Sequence, residues 1–136
     1  MAREEKPRII FVGLHNKPEM KPLDILTKSG KLINRIIKEL PQGYEIIKSN
    51  LFNVDYFPIK EDLHQLAMEW YWTHLPVDTD IVVLLGATVH NNCPHQGANF
   101  LKVAHPASKR SHADMDDYVM RVSFLIKNAI KNGTSS

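Results

Sequence analysis

The segment His105-Pro106-Ala107-Ser108-Lys109-Arg110 puts an imidazole, a hydroxyl and two cations into one short stretch between an apolar run and an amphipathic one. An imidazole N–H can stabilise negative charge as it develops on a leaving group. Hydroxyls, lysines and arginines are common partners of phosphate oxygens. The plainer alternative for His105 is a ring satisfied by backbone groups at a strand end. Asn50 offers a donor and an acceptor side by side, which suits the edge of a nucleobase; its plainer alternative is a cap on the following turn. His15 and Asn16 follow the first apolar run, and Phe52, Tyr56 and Phe57 could stack on a base or anchor their loop. His90, Cys93 and His95 invite a metal reading, but their spacing fits no standard zinc pattern and no fourth ligand is in sight. Neither a metal nor another cofactor is expected.

Several chemistries lose support at once. The chain has no GxxxxGK[ST] phosphate loop, no GxGxxG turn and no GxSxG elbow, so ordinary nucleoside triphosphate, dinucleotide and serine-hydrolase readings are not favoured. Cys93 is the only cysteine, which excludes an internal disulfide and, by itself, an iron–sulfur cluster.

The elements that must position these groups can be read from hydrophobic periodicity. Residues 8–13 are a continuous apolar run of strand length ending in Gly13, the pattern of a buried parallel strand. A proline-bearing loop follows, and from Ser29, read as an N-cap, Leu32, Ile33, Ile36, Ile37 and Leu40 recur at helical spacing until Pro41. Residues 44–50 form a second strand that runs into the loop holding Phe52. A helix over 61–75 carries Leu63, Leu66, Ala67, Trp70 and His74 on one side, with its tryptophans read as core or core-edge. Residues 80–86 are the clearest strand, 87–92 a short helical turn, and 100–104 a fourth strand that delivers His105. The last helix spans about 111–132, with Met115, Tyr118, Val119, Val122, Phe124, Leu125 and Ile126 as its apolar positions. Strand and helix alternate four times, which predicts right-handed βαβ crossovers and a three-layer α/β/α domain around a four-stranded parallel sheet, for which the order 2-1-3-4 is taken as the working hypothesis. In that order the loops after Gly13, Asn50, Gly86 and Ala104 share one edge. His15, Asn16, Asn50, Asn53, His90, Asn91 and His105 are then expected in one crevice.

With 136 residues, the chain is read as a single domain over 1–136, with a flexible leader at 1–7 and tail at 133–136. Its apolar content of 43% and charged content of 24% are those of a soluble globular protein. No apolar run reaches the length of a membrane span and no secretory signal precedes residue 8, so a cytoplasmic monomer is expected. The net charge of +2 permits a polyanionic partner without requiring one. The basic residues gather at Lys17 to Arg35 and at Lys102 to Arg110, which would form a phosphate-facing side if the two groups lie together.

Taken in order, these segments resemble the uracil-DNA glycosylase superfamily over most of the chain. The family's first motif, Gly-x-Asn/Asp-Pro or a variant, is matched by Gly13-Leu14-His15-Asn16-Lys17-Pro18. A Gly-Arg-Ser/Ala-Gly-x-Leu-Leu segment is matched by Thr27-Lys28-Ser29-Gly30-Lys31-Leu32-Ile33. The base-reading asparagine corresponds to Asn50, the third strand and turn to Ile81 through Thr88, and the His-Pro-Ser motif to His105-Pro106-Ala107-Ser108. Two departures stand out: His15 occupies the position where the family often carries Asp or Asn, and no aromatic residue stands between the first motif and the helix.

The resemblance implies a monofunctional DNA glycosylase that extrudes uracil or another deaminated base and hydrolyses its N-glycosidic bond. Gly13, Asn50 and Phe52 would hold the base, His105 would stabilise the charge on it as it departs, and Asn16 or His15 would position water. Ser108, Lys109, Arg110, Ser111 and Lys28 would contact DNA. The alternatives are a DNA- or nucleobase-binding protein of the same fold with weak or no catalysis, and a small-molecule nucleoside N-glycosidase.

Overall fold

A strand that is apolar on both faces must be covered on both faces, and the first strand is of this kind: Ile9, Ile10, Phe11 and Val12 are all fully buried. The computed structural model describes residues 6–15, 21–56, 58–97, 99–109 and 111–134. Their order is β1 (Arg8–His15), α1 (Lys28–Lys38), β2 (Glu45–Phe52), α2 (Leu63–His74), β3 (Ile81–Leu85), α3 (Ala87–Asn92), β4 (Phe100–Val103) and α4 (His112–Thr134). The four strands form one parallel sheet, β2-β1-β3-β4, the order taken as the working hypothesis.

Successive side chains of a strand point to opposite faces, and the core divides accordingly. Ile9, Phe11, Ile81, Val83 and Leu85 pack under α1 and α4 with Leu32, Ile33, Ile36, Tyr118, Val122 and Ile126. Ile10, Val12, Val82 and Leu84 pack on the other side under α2 and α3 with Ala67, Trp70 and Val89. These are the three layers of an α/β/α domain. On the α2 side the Trp70 indole N–H donates to Ser49 Oγ at 3.0 Å, and that hydroxyl donates to the Phe11 carbonyl at 3.0 Å. A buried donor is thereby satisfied one residue from Asn50.

The boundaries differ from the expectations in instructive ways. β1 extends through Leu14 and His15, and β2 through Leu51 and Phe52, because the two strands stay in register to the His15–Phe52 pair. The N-cap of α1 is Thr27, not Ser29: Thr27 keeps an extended backbone and its hydroxyl accepts the Gly30 N–H at 2.9 Å. Trp72 is 65% exposed, against the core or core-edge position expected for it. Two residues on from Trp70 is a rotation of roughly 200° on a helix of 3.6 residues per turn, which points Trp72 to solvent. The same rotation from Val122 and Ile126 leaves Phe124 exposed, and Leu125 is exposed too. α4 continues through Thr134, so the first two residues of the expected tail are helical. Among the described residues no helix is long and apolar enough to cross a membrane.

Candidate functional site

Ligands of open α/β sheets bind beyond the carboxyl ends of the strands, at the point where the strand order reverses. Here that point lies between β1 and β3. β1 brings Gly13, Leu14 and His15, β2 brings Asn50, and the segment after β4 brings His105 and Ala107 to one cleft of about 220 Å³. The connection from β1 to α1 adds Lys21, Leu23, Asp24 and Thr27 to its lining, and the first turn of α1 adds Ser29. Pockets for drug-sized ligands span roughly 300–1,000 Å³, so the cleft suits a group smaller than those.

Asn50 reaches the cleft because the residue beside it has no side chain. Gly13 and Asn50 are register partners, and a Cβ on Gly13 would collide with Asn50 Oδ1. The amide is thus held in a slot between β1 and the turn at Leu23, with Asn50 only 8% exposed.

His105 is placed by β3 as much as by β4. Gly86 ends β3 with φ 97°, and a Cβ there would stand 3.2 Å from His105 Cβ. Both the left-handed backbone and the close approach call for glycine. The Gly86 N–H donates to the Val103 carbonyl at 2.8 Å, and the Ser108 N–H and Oγ donate to the His105 carbonyl at 3.0 and 2.8 Å. The Tyr118 hydroxyl, on α4, donates to the Ala104 carbonyl at 2.5 Å. Burial pushes that phenol well above its ordinary pKa, so it remains a donor throughout the physiological range. The Ala107 N–H donates to His105 Nδ1 at 3.1 Å. With Nδ1 an acceptor, the neutral imidazole carries its proton on Nε2, which makes Nε2 the ring's hydrogen-bond donor.

Of the residues expected in the crevice, His15, Asn50 and His105 line it together with Gly13. Asn53, His90 and Asn91 do not. His90 and Asn91 ride on α3, whose Val89 packs on the opposite face of the sheet from Leu23. Phe52, expected to hold the base, is fully buried among the residues under α2, and its ring serves the core. Asn16 and Arg110 lie outside the described residues. Ser108 and Ser111 are exposed; Ser111 Oγ accepts the Asp114 N–H at 3.0 Å at the start of α4. Lys109 Nζ sits 5.8 Å from the centre of the Tyr118 ring, a cation–π distance. Lys28 is exposed on the first turn of α1, between Thr27 and Ser29 of the cleft wall.

Asp24, which also lines the cleft, is absent from the sequence expectations. Asp24 Oδ1 accepts the Leu26 N–H at 2.9 Å, and the Asp24 carbonyl accepts from Thr27 Oγ1 at 2.7 Å. This is an Asx turn feeding a helix cap, and Asp-x-x-Thr directly before an amphipathic run is the signal that could have found it. Among the described residues no three His, Cys, Asp or Glu side chains are grouped to hold a metal ion. Cys93 is buried, with its thiol pushed up to about 12 by desolvation, and His95 packs against Tyr71 with ring centres 4.7 Å apart. No protein-family model matches the chain, nor does any curated protein or solved structure.

Proposed function

We propose that the protein is a monofunctional DNA glycosylase that removes uracil or another deaminated base. The observation that carries this reading is the meeting of Asn50 with a His105 whose Nδ1 is already occupied by a backbone N–H, in one small cleft at the strand-order reversal. Hydrolysis of an N-glycosidic bond sends the bonding electrons out with the base. His105 Nε2–H donates to the base oxygen on which that negative charge collects, a transition-state interaction worth about 10²–10³ in rate for a single preorganised donor. Asn50 reads the base edge with its paired donor and acceptor. Water adds to C1′ of the sugar and its proton passes to the Asp24 carboxylate and on to the departed base. Asp24 joins His15 and Asn16, the groups the resemblance to the uracil-DNA glycosylase superfamily assigns to the water.

Lys21 in the cleft wall, Lys28 at the start of α1 and Lys109 after His105 supply cations for the flanking phosphates. Binding through them would weaken as salt rises. The reading is tested by incubating excess protein with single-stranded and mismatched oligonucleotides containing uracil, hypoxanthine or xanthine. Alkali-labile abasic sites are expected from at least one of them, and their absence from all rejects it.

A second reading, base binding without cleavage, is favoured by one feature of the cleft. No Phe, Tyr or Trp lines it among the described residues, so stacking is left to imidazole and leucine. Under that reading oligonucleotides bind with the same salt dependence, while His105→Ala changes no reaction because none occurs.

A further inference from the structure

α4 presents one continuous stripe to solvent. Ala113, Asp117, Met120, Phe124, Lys127 and Lys131 follow one another at alternating steps of four and three residues, the spacing that keeps side chains on one face of a helix. All six are exposed, Met120 at 69% and Phe124 at 67%. The opposite face, with Tyr118, Val122 and Ile126, is the one that packs on the sheet. A single exposed apolar residue is ordinary. Here a methionine and a phenylalanine one turn apart border a groove between α1 and α4, with Val119 and Ser123 in its lining and Arg35 and Glu39 on the α1 side.

The charges along the stripe choose its occupant. Asp114, Asp116 and Asp117 stand in the amino-terminal half of α4, where Arg121 is the only lysine or arginine; Lys127 and Lys131 stand in the carboxyl-terminal half, which holds no acid. Nucleic acid or an anionic lipid surface would meet the acids as well as the lysines. A second copy of α4 running antiparallel meets its complement at both ends. One two-fold axis at the level of Val122 sets Met120 on the partner's Phe124, Asp117 opposite the partner's Lys127, and Ala113, beside Asp114, opposite the partner's Lys131. Every such contact occurs twice, as a two-fold interface requires. A parallel pair would set acids against acids. Asp116 and Asp117 already meet Arg35 and Arg121 at 2.7 Å, but exposed pairs of this kind contribute little and are exchanged at small cost.

We propose that two copies of this chain associate antiparallel through α4, with Met120 and Phe124 of each at the centre, in place of the monomer expected from the sequence. A contact one helix face wide buries less than a standard interface of roughly 1,600 Å², which places the dimer among weak, concentration-dependent ones. None of the stripe's residues lines the cleft, so the dimer stands apart from the glycosylase reading.

The test is sedimentation equilibrium from about 10 µM to about 1 mM, the span in which weak protein pairs form. The wild type is expected to show a reversible monomer–dimer equilibrium with no larger species. Phe124→Asp is expected to raise the dissociation constant about tenfold or more. Asp117→Lys and Lys127→Asp are each expected to weaken the dimer by setting like charges opposite, and the Asp117→Lys/Lys127→Asp double variant to return to within about threefold of wild type. Each variant is checked for an unchanged thermal melt; if Phe124→Asp lowers it, the charge variants decide. A wild type that stays monomeric throughout, whatever else binds this face, overturns the proposal. So do a Phe124→Asp that melts and dimerises like the wild type, single charge variants that associate like the wild type, and a double variant no stronger than the singles.

Discussion

His105 is held by its own neighbours in the form the proposed chemistry needs. Because the Ala107 N–H occupies Nδ1, the donor is on Nε2 without any need for a charged ring. His105→Ala is expected to reduce single-turnover base release by roughly 10²–10³ while anisotropy measurements show oligonucleotide affinity little changed. Gly13→Ala makes a separate point. The added methyl meets Asn50 Oδ1, so the variant is expected to lose about 1–3 kcal/mol in urea titrations from overpacking while base release falls as though Asn50 itself were replaced. Cys93 takes no part in this chemistry. A thiol with a pKa near 12 has almost no thiolate at pH 8, and reactivity follows the thiolate. Iodoacetamide is expected to leave it unmodified in the native protein and to alkylate it once the chain is unfolded in urea.

β4 and α4 are joined across the His105 turn by the Tyr118 hydroxyl on the Ala104 carbonyl. Tyr118→Phe removes one hydrogen bond and leaves the ring in the core, so it is expected to lower stability by about 1 kcal/mol in urea titrations and to slow base release severalfold by loosening the turn. At this scale the sequence was informative about strands and less so about helices. Ile9 to Val12 and Ile81 to Leu85 are apolar without interruption and β-branched in part, as a strand covered on both faces is, and that pattern with the intervening helices implies a parallel sheet, whereas the order 2-1-3-4 is an assumption, because alternation alone does not fix it. Phe124, Leu125 and Trp72 are exposed against expectation because an apolar residue type does not fix its angle about the helix axis. The Asn50–Gly13 slot depends on register, which no single strand reveals. The cleft residues from Lys21 to Thr27 sit in a connection with no hydrophobic period, so Asp24 is legible there only through its turn-and-cap signature. Phe52 belongs to β2 and not to a loop after it, so its ring is in the core and not at the base.

Taken whole, the sheet has a structural edge and a chemical one. At the amino edge Arg8 and Asp80 join the starts of β1 and β3: the guanidinium meets Asp80 Oδ2 at 2.7 Å, and the N–H groups of Arg8 and Val77 donate to the same carboxylate. Burial alone would raise the Asp80 pKa, but the hydrogen bonds from Arg8 and from these two backbone N–H groups outweigh it and hold the carboxyl below its usual value. A depressed carboxylate pKa contributes stability above the unfolded value of about 3.9, and that contribution is lost as pH falls through the folded value. Asp80→Ala is expected to cost about 3 kcal/mol at pH 7, since it removes the buried acceptor of the Arg8 and Val77 N–H groups and the ionic partner of a guanidinium that keeps the His74 and Leu75 carbonyls. The difference from wild type should shrink in urea titrations below about pH 4. With the amino edge fixed in this way, the carboxyl edge is left to the cleft. The claim that this cleft breaks an N-glycosidic bond is tested most directly by chromatography of the small-molecule products after excess protein meets uracil-containing single-stranded DNA. The account predicts free uracil from the wild type, with the DNA backbone intact until alkali is added, and none at matched times from His105→Ala. Equal uracil from both proteins, or none from the wild type, would contradict it.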